Sequence, residues 1–189
     1  MTIERSDRTW RRTRASGLFT ILLAAIAMLL PLVDWAPRGG LVGWLLVLAG
    51  GAELAFGMAR RPEPAGDAAM VGGLLTAAAG PILVLDPLAG YFSVANVVMG
   101  WLLARGAAIL LMAWRVRAAS LRAWLVFSGA VDLLLGIAVA LGLSLSMLVL
   151  TLFGPTREIV AQFSLILAAS FLATGIAQVM MAREIRLRG

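Results

Sequence analysis

Three ionisable residues stand inside long apolar runs of the chain: Glu53, Arg105 and Asp132. A charge at the centre of a membrane helix costs roughly 2.5–3.5 kcal/mol on insertion scales, so such a residue is a functional candidate by default. Counted from the arginine-rich ends of their segments, at about 1.5 Å per helical residue, all three lie roughly 10–15 Å deep. They can therefore meet at one level. One cation between two carboxylates predicts a buried cluster in which Arg105 bridges Glu53 and Asp132, with Thr20 and Thr76 within hydrogen-bonding reach.

Three chemistries fit such a cluster. It can be a salt bridge that fixes which helices pair. It can be a proton or ion relay, in which the carboxylate left incompletely neutralised exchanges protons. It can also be a set of water-facing charges at a cytoplasmic vestibule. Taken alone, Thr20 and Thr76 bond back to their own helix backbone. A Glu/Asp pair is able to do acid–base work, but nothing in the sequence sets up a nucleophile beside it. The chain has no cysteine and no histidine, and all sixteen of its basic residues are arginine. That excludes disulfides, Cys/His zinc sites, His-ligated haem and the Ser-His-Asp triad, so the expectation is a protein that is not an enzyme and carries no metal or cofactor.

The elements that must hold these residues are membrane helices. The chain has 189 residues, of which 61% are hydrophobic and 14% charged, with a mean hydropathy of +0.96. Soluble domains run at about 45–50% apolar and about 25% charged, so the excess needs a bilayer as solvent. Six apolar runs, at about 16–33, 41–59, 68–85, 94–114, 123–143 and 159–181, are each long enough to cross. The alternation of a barrel is missing, which leaves an all-α integral membrane protein. The expected organisation is a basic N-terminal stretch, 1–15, followed by a single six-helix domain, 16–189, with repeats at 16–61, 68–117 and 123–188.

Arginine placement predicts the orientation. Thirteen of the sixteen arginines flank one side of these spans, from Arg5 to Arg14, at Arg60 and Arg61, at Arg115, Arg117 and Arg122, and from Arg183 to Arg188. The positive-inside rule then puts both termini in the cytoplasm, and the aromatic residues fall into two belts, Trp10, Trp114 and Trp124 against Trp35, Trp44 and Tyr91. The basic balance is thereby a topology signal that points to membrane lipids as partners and away from nucleic acid. Residues 8–27 also allow a cleavable signal-peptide reading, but the apolar stretch continues to Pro31 and its loss would invert the topology. In the connections, Pro62 to Asp67 cannot continue a helix, and Asp67 is placed to cap the next one. Gly154-Pro155 with Glu158 similarly reads as a helix start.

Self-comparison shows a repeated pair of helices. Gly17, Gly73 and Gly129 recur at intervals of 56 residues, each followed three residues on by Thr20, Thr76 or Asp132 and seven on by Ala24, Gly80 or Gly136. Fourteen on come Pro31, Pro87 and, breaking the pattern, Leu143. The even spans share a Leu-Ala-x-Gly core at Gly51, Gly106 and Gly175. Three parallel repeats have their symmetry axis along the membrane normal, which disfavours an inverted-repeat transporter. Small residues one or two turns apart let helices approach closely in lipid, so these glycines are expected to pack helices; a glycine-lined permeation path is the alternative. The third unit carries an insertion near Ser144 to Arg157, expected to extend the fifth helix.

The three paired-helix units, the glycines opening the odd spans, the prolines at their outer ends and the stretch Gly51 to Gly57 resemble the HdeD family of bacterial acid-resistance membrane proteins. The likeness spans essentially the whole chain. Leu143 in place of proline and the third-unit insertion depart from the pattern. The resemblance implies a bacterial inner-membrane protein linked to acid or stress tolerance, and carries no catalytic residues with it. Two functions compete on this basis, with a subunit or chaperone of a larger membrane complex as a third. One is a non-enzymatic protein that stabilises the membrane or a membrane partner, with a second copy of the chain as a possible partner. The other is a proton or small-solute channel or carrier built on Glu53, Arg105 and Asp132, against which stands the single polar level visible along the membrane.

Overall fold

The computed structural model describes residues 2–30, 38–60, 63–85, 94–142 and 158–188. Among them there is no strand. Six helices follow one another: α1 (Thr2–Leu29), α2 (Arg38–Ala59), α3 (Pro64–Leu85), α4 (Val94–Ala113), α5 (Ala119–Ala140) and α6 (Glu158–Arg188). Each contains a stretch of 19–22 residues long and apolar enough to cross a bilayer. Leu22, Leu74, Leu85, Leu111 and Leu134 stand more than half exposed on the outside, as lipid-facing side chains do.

The ends of the helices differ from the sequence expectation in three places. The basic stretch before the first span is already helical from Thr2, because hydropathy marks the membrane-embedded part of a helix and not its length. Helix α3 begins at Pro64, so Asp67 lies inside its first turn. The carbonyl of Glu63 there accepts the N–H groups of Gly66 and Asp67, at 2.8 and 3.1 Å. Helix α5 does not extend into the insertion: it stops at Ala140, with Gly142 at φ +65°, the left-handed turn that closes a helix and favours glycine. The residues of the insertion itself, with Pro31, Pro87, Leu143 and Gly154-Pro155, lie outside the described residues.

The helices form a closed ring in which each packs on its sequence neighbours and α6 returns to α1. The tightest pairs are α2/α3, α4/α5 and α6/α1, so the close contacts join an even helix to the odd helix beside it. Glycine makes this possible. Along the antiparallel α2/α3 seam Gly43, Gly50 and Gly57 face Gly80, Gly73 and Gly66 at seven-residue intervals. A Cβ at Gly43 would lie 2.8 Å from the carbonyl oxygen of Gly80, and one at Gly73 would lie 2.7 Å from the amide nitrogen of Leu54. Where no solvent drives helices together, backbone contact of this kind supplies the packing. Gly106 meets the Gly129 carbonyl at 2.8 Å and Gly17 meets that of Gly175 at 2.9 Å, measured from the Cβ each lacks, while Gly136 lies against Leu103.

One glycine falls off this seam. Gly51 is exposed and a Cβ there would meet nothing, whereas Gly50, its neighbour, sits against the backbone of Ala77. The reason is register: the interval of 56 residues that relates Gly73 to Gly129 also relates Gly50 to Gly106. A step of one residue turns a helix by about 100°, from the seam to the lipid side.

A buried charge cluster as candidate functional site

Which side chains point inward follows from the seam. With a seam glycine against the neighbouring helix, the residue before it and the third residue after it lie on the adjoining face, four apart and one turn above each other. Those positions are Ser16 and Thr20 on α1, Ala49 and Glu53 on α2, Gly72 and Thr76 on α3, Arg105 and Ile109 on α4, Ser128 and Asp132 on α5, and Thr174 and Gln178 on α6. All are buried except Ser16, which is half-buried.

Glu53, Arg105 and Asp132 come together there. Arg105, 1% exposed, donates through Nη1 to Asp132 Oδ2 and through Nη2 to Glu53 Oε1 at 2.6 Å. Nη2 also donates to Thr174 Oγ1 at 3.1 Å. Around this core Ser170 Oγ donates to Asp132 Oδ1 at 2.5 Å, and Ser128 Oγ lies 3.2 Å from Thr174 Oγ1. Helix α4 is thus tied to α2, α5 and α6 through one side chain. Arginine suits the position because its planar fork offers separate N–H groups to two carboxylates, which a lysine ammonium on a flexible stem does not.

Thr20 and Thr76 do not join the cluster. Thr20 donates to the Ser16 carbonyl at 3.0 Å and Thr76 to that of Gly72 at 2.8 Å, so the single hydroxyl proton of each is committed to its own helix. Thr76 also accepts from Trp101 Nε1 at 3.1 Å. Ser128, Ser170 and Thr174 take the places expected of the two threonines. Ser128 and Thr174 each precede a seam glycine, a signal readable once the register is set at Gly50, Gly106 and Gly175. Nothing in the sequence singles out Ser170. A separate polar link, Ser16 Oγ to Gln178 Oε1 at 3.2 Å, joins α1 to α6.

The surroundings differ on the two sides of this layer. Toward the ends remote from the arginines, Trp101 packs edge-on against Phe171 with ring centroids 6.3 Å apart. Beyond them Leu23, Ala27, Val42, Leu46, Val98, Leu102 and Leu167 form a core that is at most 2% exposed. Toward the arginine-rich ends lies a cavity bounded by Glu53, Ser128, Thr174 and Gln178 below and by Phe56, Ala65, Leu125 and Met181 above. It is open to a water centre over about 20 Å³, room for roughly one water molecule. At its edge Arg60, 3% exposed, stacks over Phe56 at 5.6 Å and donates to Glu63 at 2.5 and 3.1 Å.

These features define a multi-pass helical membrane protein whose axis holds a paired charge cluster. Residues 71–141, which run from α3 through α5 and include Arg105 and Asp132, match a family described as a short repeat of unknown function (DUF308), the family to which the HdeD proteins belong. No curated protein and no solved structure matches the chain.

Proposed function

We propose that this chain is a non-enzymatic protein of the bacterial inner membrane, of the acid-resistance or stress type, that stabilises the membrane or a membrane partner. Both termini face the cytoplasm in this reading, because the arginine-rich ends of the helices gather on one side. The observation that carries it is the closure of the charge cluster. Both carboxylates are bonded to Arg105, and among the described residues the core beyond Trp101 is apolar apart from the lone buried hydroxyl of Ser164, one isolated polar group rather than a continuous polar path. Conduction needs a chain of polar groups or water through the whole thickness. The stress-type role draws on the resemblance to HdeD proteins and on the repeat match over residues 71–141.

The second reading, a proton or small-solute carrier, draws on the water-sized cavity that reaches Glu53 from the arginine-rich end. Acid-shock survival of a strain lacking the gene separates the two. The wild-type gene is expected to restore survival, and so is the charge-free variant Glu53→Met/Arg105→Met/Asp132→Leu expressed at equal abundance. Failure of the wild-type gene to restore survival removes the acid-resistance role. Rescue by wild type but not by the charge-free variant selects the carrier.

A further inference from the structure

At the arginine-rich end of the α4/α5 pair the outer surface carries a groove of about 450 Å³, lined by Leu110, Ala113, Trp114, Arg122 and Val126. This volume falls within the roughly 300–1,000 Å³ of small-molecule sites. Its floor is aliphatic, Trp114 stands 82% exposed at its edge and Arg122 is exposed beside it. Arg115 and Arg117, also exposed, belong to the same turn, and the sequence from Trp114 to Trp124 contains no acidic residue.

Counted from the seam glycines, the same corner recurs at the other two tight pairs, and at each a larger side chain stands at one of the equivalent positions. Where α5 has Val126, α3 has Met70, which lies across Gly57 with its Cγ 2.5 Å from where a Cβ would stand. Where α5 has Arg122, α1 has Trp10, whose indole lies under Arg186 at 4.9 Å and Arg14 at 5.5 Å. At the α4/α5 corner those two positions hold Val126 and Arg122 instead, and the space between them and Trp114 stays open. An apolar hollow on a lipid-facing surface, edged by guanidinium groups with no acid among them, matches an amphiphile with a negative headgroup.

The geometry points to an anionic-phospholipid site on the outer face of α4/α5, with the headgroup phosphate on Arg122 and the flanking arginines, and an acyl chain in the groove. It rests on the reading of the arginine-rich end as a membrane–water boundary. Binding in detergent does not depend on which leaflet that is, nor on the acid-resistance role, so the site and the proposed function fail separately.

Native mass spectrometry of the purified protein, with phosphatidylglycerol or phosphatidylethanolamine of matched chains added, tests it. Phosphatidylglycerol is expected to bind at least several-fold more tightly. An arginine beside an anionic headgroup contributes about fivefold, so Arg122→Gln should reduce phosphatidylglycerol binding by about that factor and leave phosphatidylethanolamine unchanged. Arg183→Gln, the same loss of charge at the same end of the ring, should leave both unchanged. Val126→Trp, which fills the groove without altering charge, should reduce phosphatidylglycerol binding. If that variant melts early, Arg122→Glu, on an exposed side chain, takes its place with a larger expected loss. Equal binding of the two lipids, equal effects of Arg122→Gln and Arg183→Gln, or displacement of the lipid by millimolar inorganic phosphate would overturn the site.

Discussion

Arg105→Met is expected to lower the melting temperature of the detergent-solubilised protein by roughly 6–20 °C, the counterpart of about 3–5 kcal/mol. The loss does not measure the worth of the ion pairs. It measures the cost of leaving Glu53 and Asp132, 6% and 0% exposed, without the cation that both accept from. The charge-free variant Glu53→Met/Arg105→Met/Asp132→Leu is accordingly expected to melt within a few degrees of wild type or above it. Replacing a buried ion cluster by apolar side chains of similar volume is often neutral or stabilising. The hydroxyls of Ser170 and Thr174 then have their own helix carbonyls to bond. Thermal unfolding followed by tryptophan fluorescence reads both variants, and a triple variant as unstable as the single one would refute this account of the cluster.

The second large effect concerns adjacent glycines. Gly50→Ala is expected to cost about 1–3 kcal/mol, and Gly51→Ala to be neutral or slightly stabilising. A methyl group at Gly50 falls on the backbone of Ala77, and backbone cannot move aside as a flexible side chain can. The two helices must separate, which also loosens Gly43 against Gly80 and Gly57 against Gly66. At Gly51 the methyl group meets nothing and replaces a poor helix former by the best one. Gly106→Ala and Gly175→Ala should behave as Gly50→Ala does. Equal melting temperatures for Gly50→Ala and Gly51→Ala would show that α2 and α3 pack in another register.

Much of this arrangement is legible before any coordinates, for reasons that differ from element to element. The six spans follow from apolarity, which in lipid leaves a helix as the way to satisfy the backbone. Glu53, Arg105 and Asp132 stand out because charge in an apolar run is costly wherever it occurs, so their meeting is a matter of depth alone. The seam glycines of the odd helices are marked by equal intervals, but Gly50-Gly51 offers two choices for one position. The Leu-Ala-x-Gly likeness favours the lipid-facing one.

Hydroxyl side chains were the least legible. A threonine or serine in a membrane helix has a carbonyl of its own always within reach, and only the packing of other helices decides whether it turns elsewhere. Thr20 and Thr76 use that local bond, whereas Ser170 turns to Asp132 and Ser128 and Thr174 turn to each other. The helix starts are similarly settled by local partners: Glu63, with its carbonyl on two N–H groups and its carboxylate on Arg60, precedes α3 where Asp67 is the expected cap.

The central claim, that the buried charges form a closed structural cluster and do not conduct, is tested most directly by a pH jump across proteoliposomes with an internal pH dye. Proton leak equal to that of protein-free vesicles, unchanged in Glu53→Gln and Asp132→Asn, is the predicted result. Protein-dependent proton flux that vanishes in those two variants would contradict it.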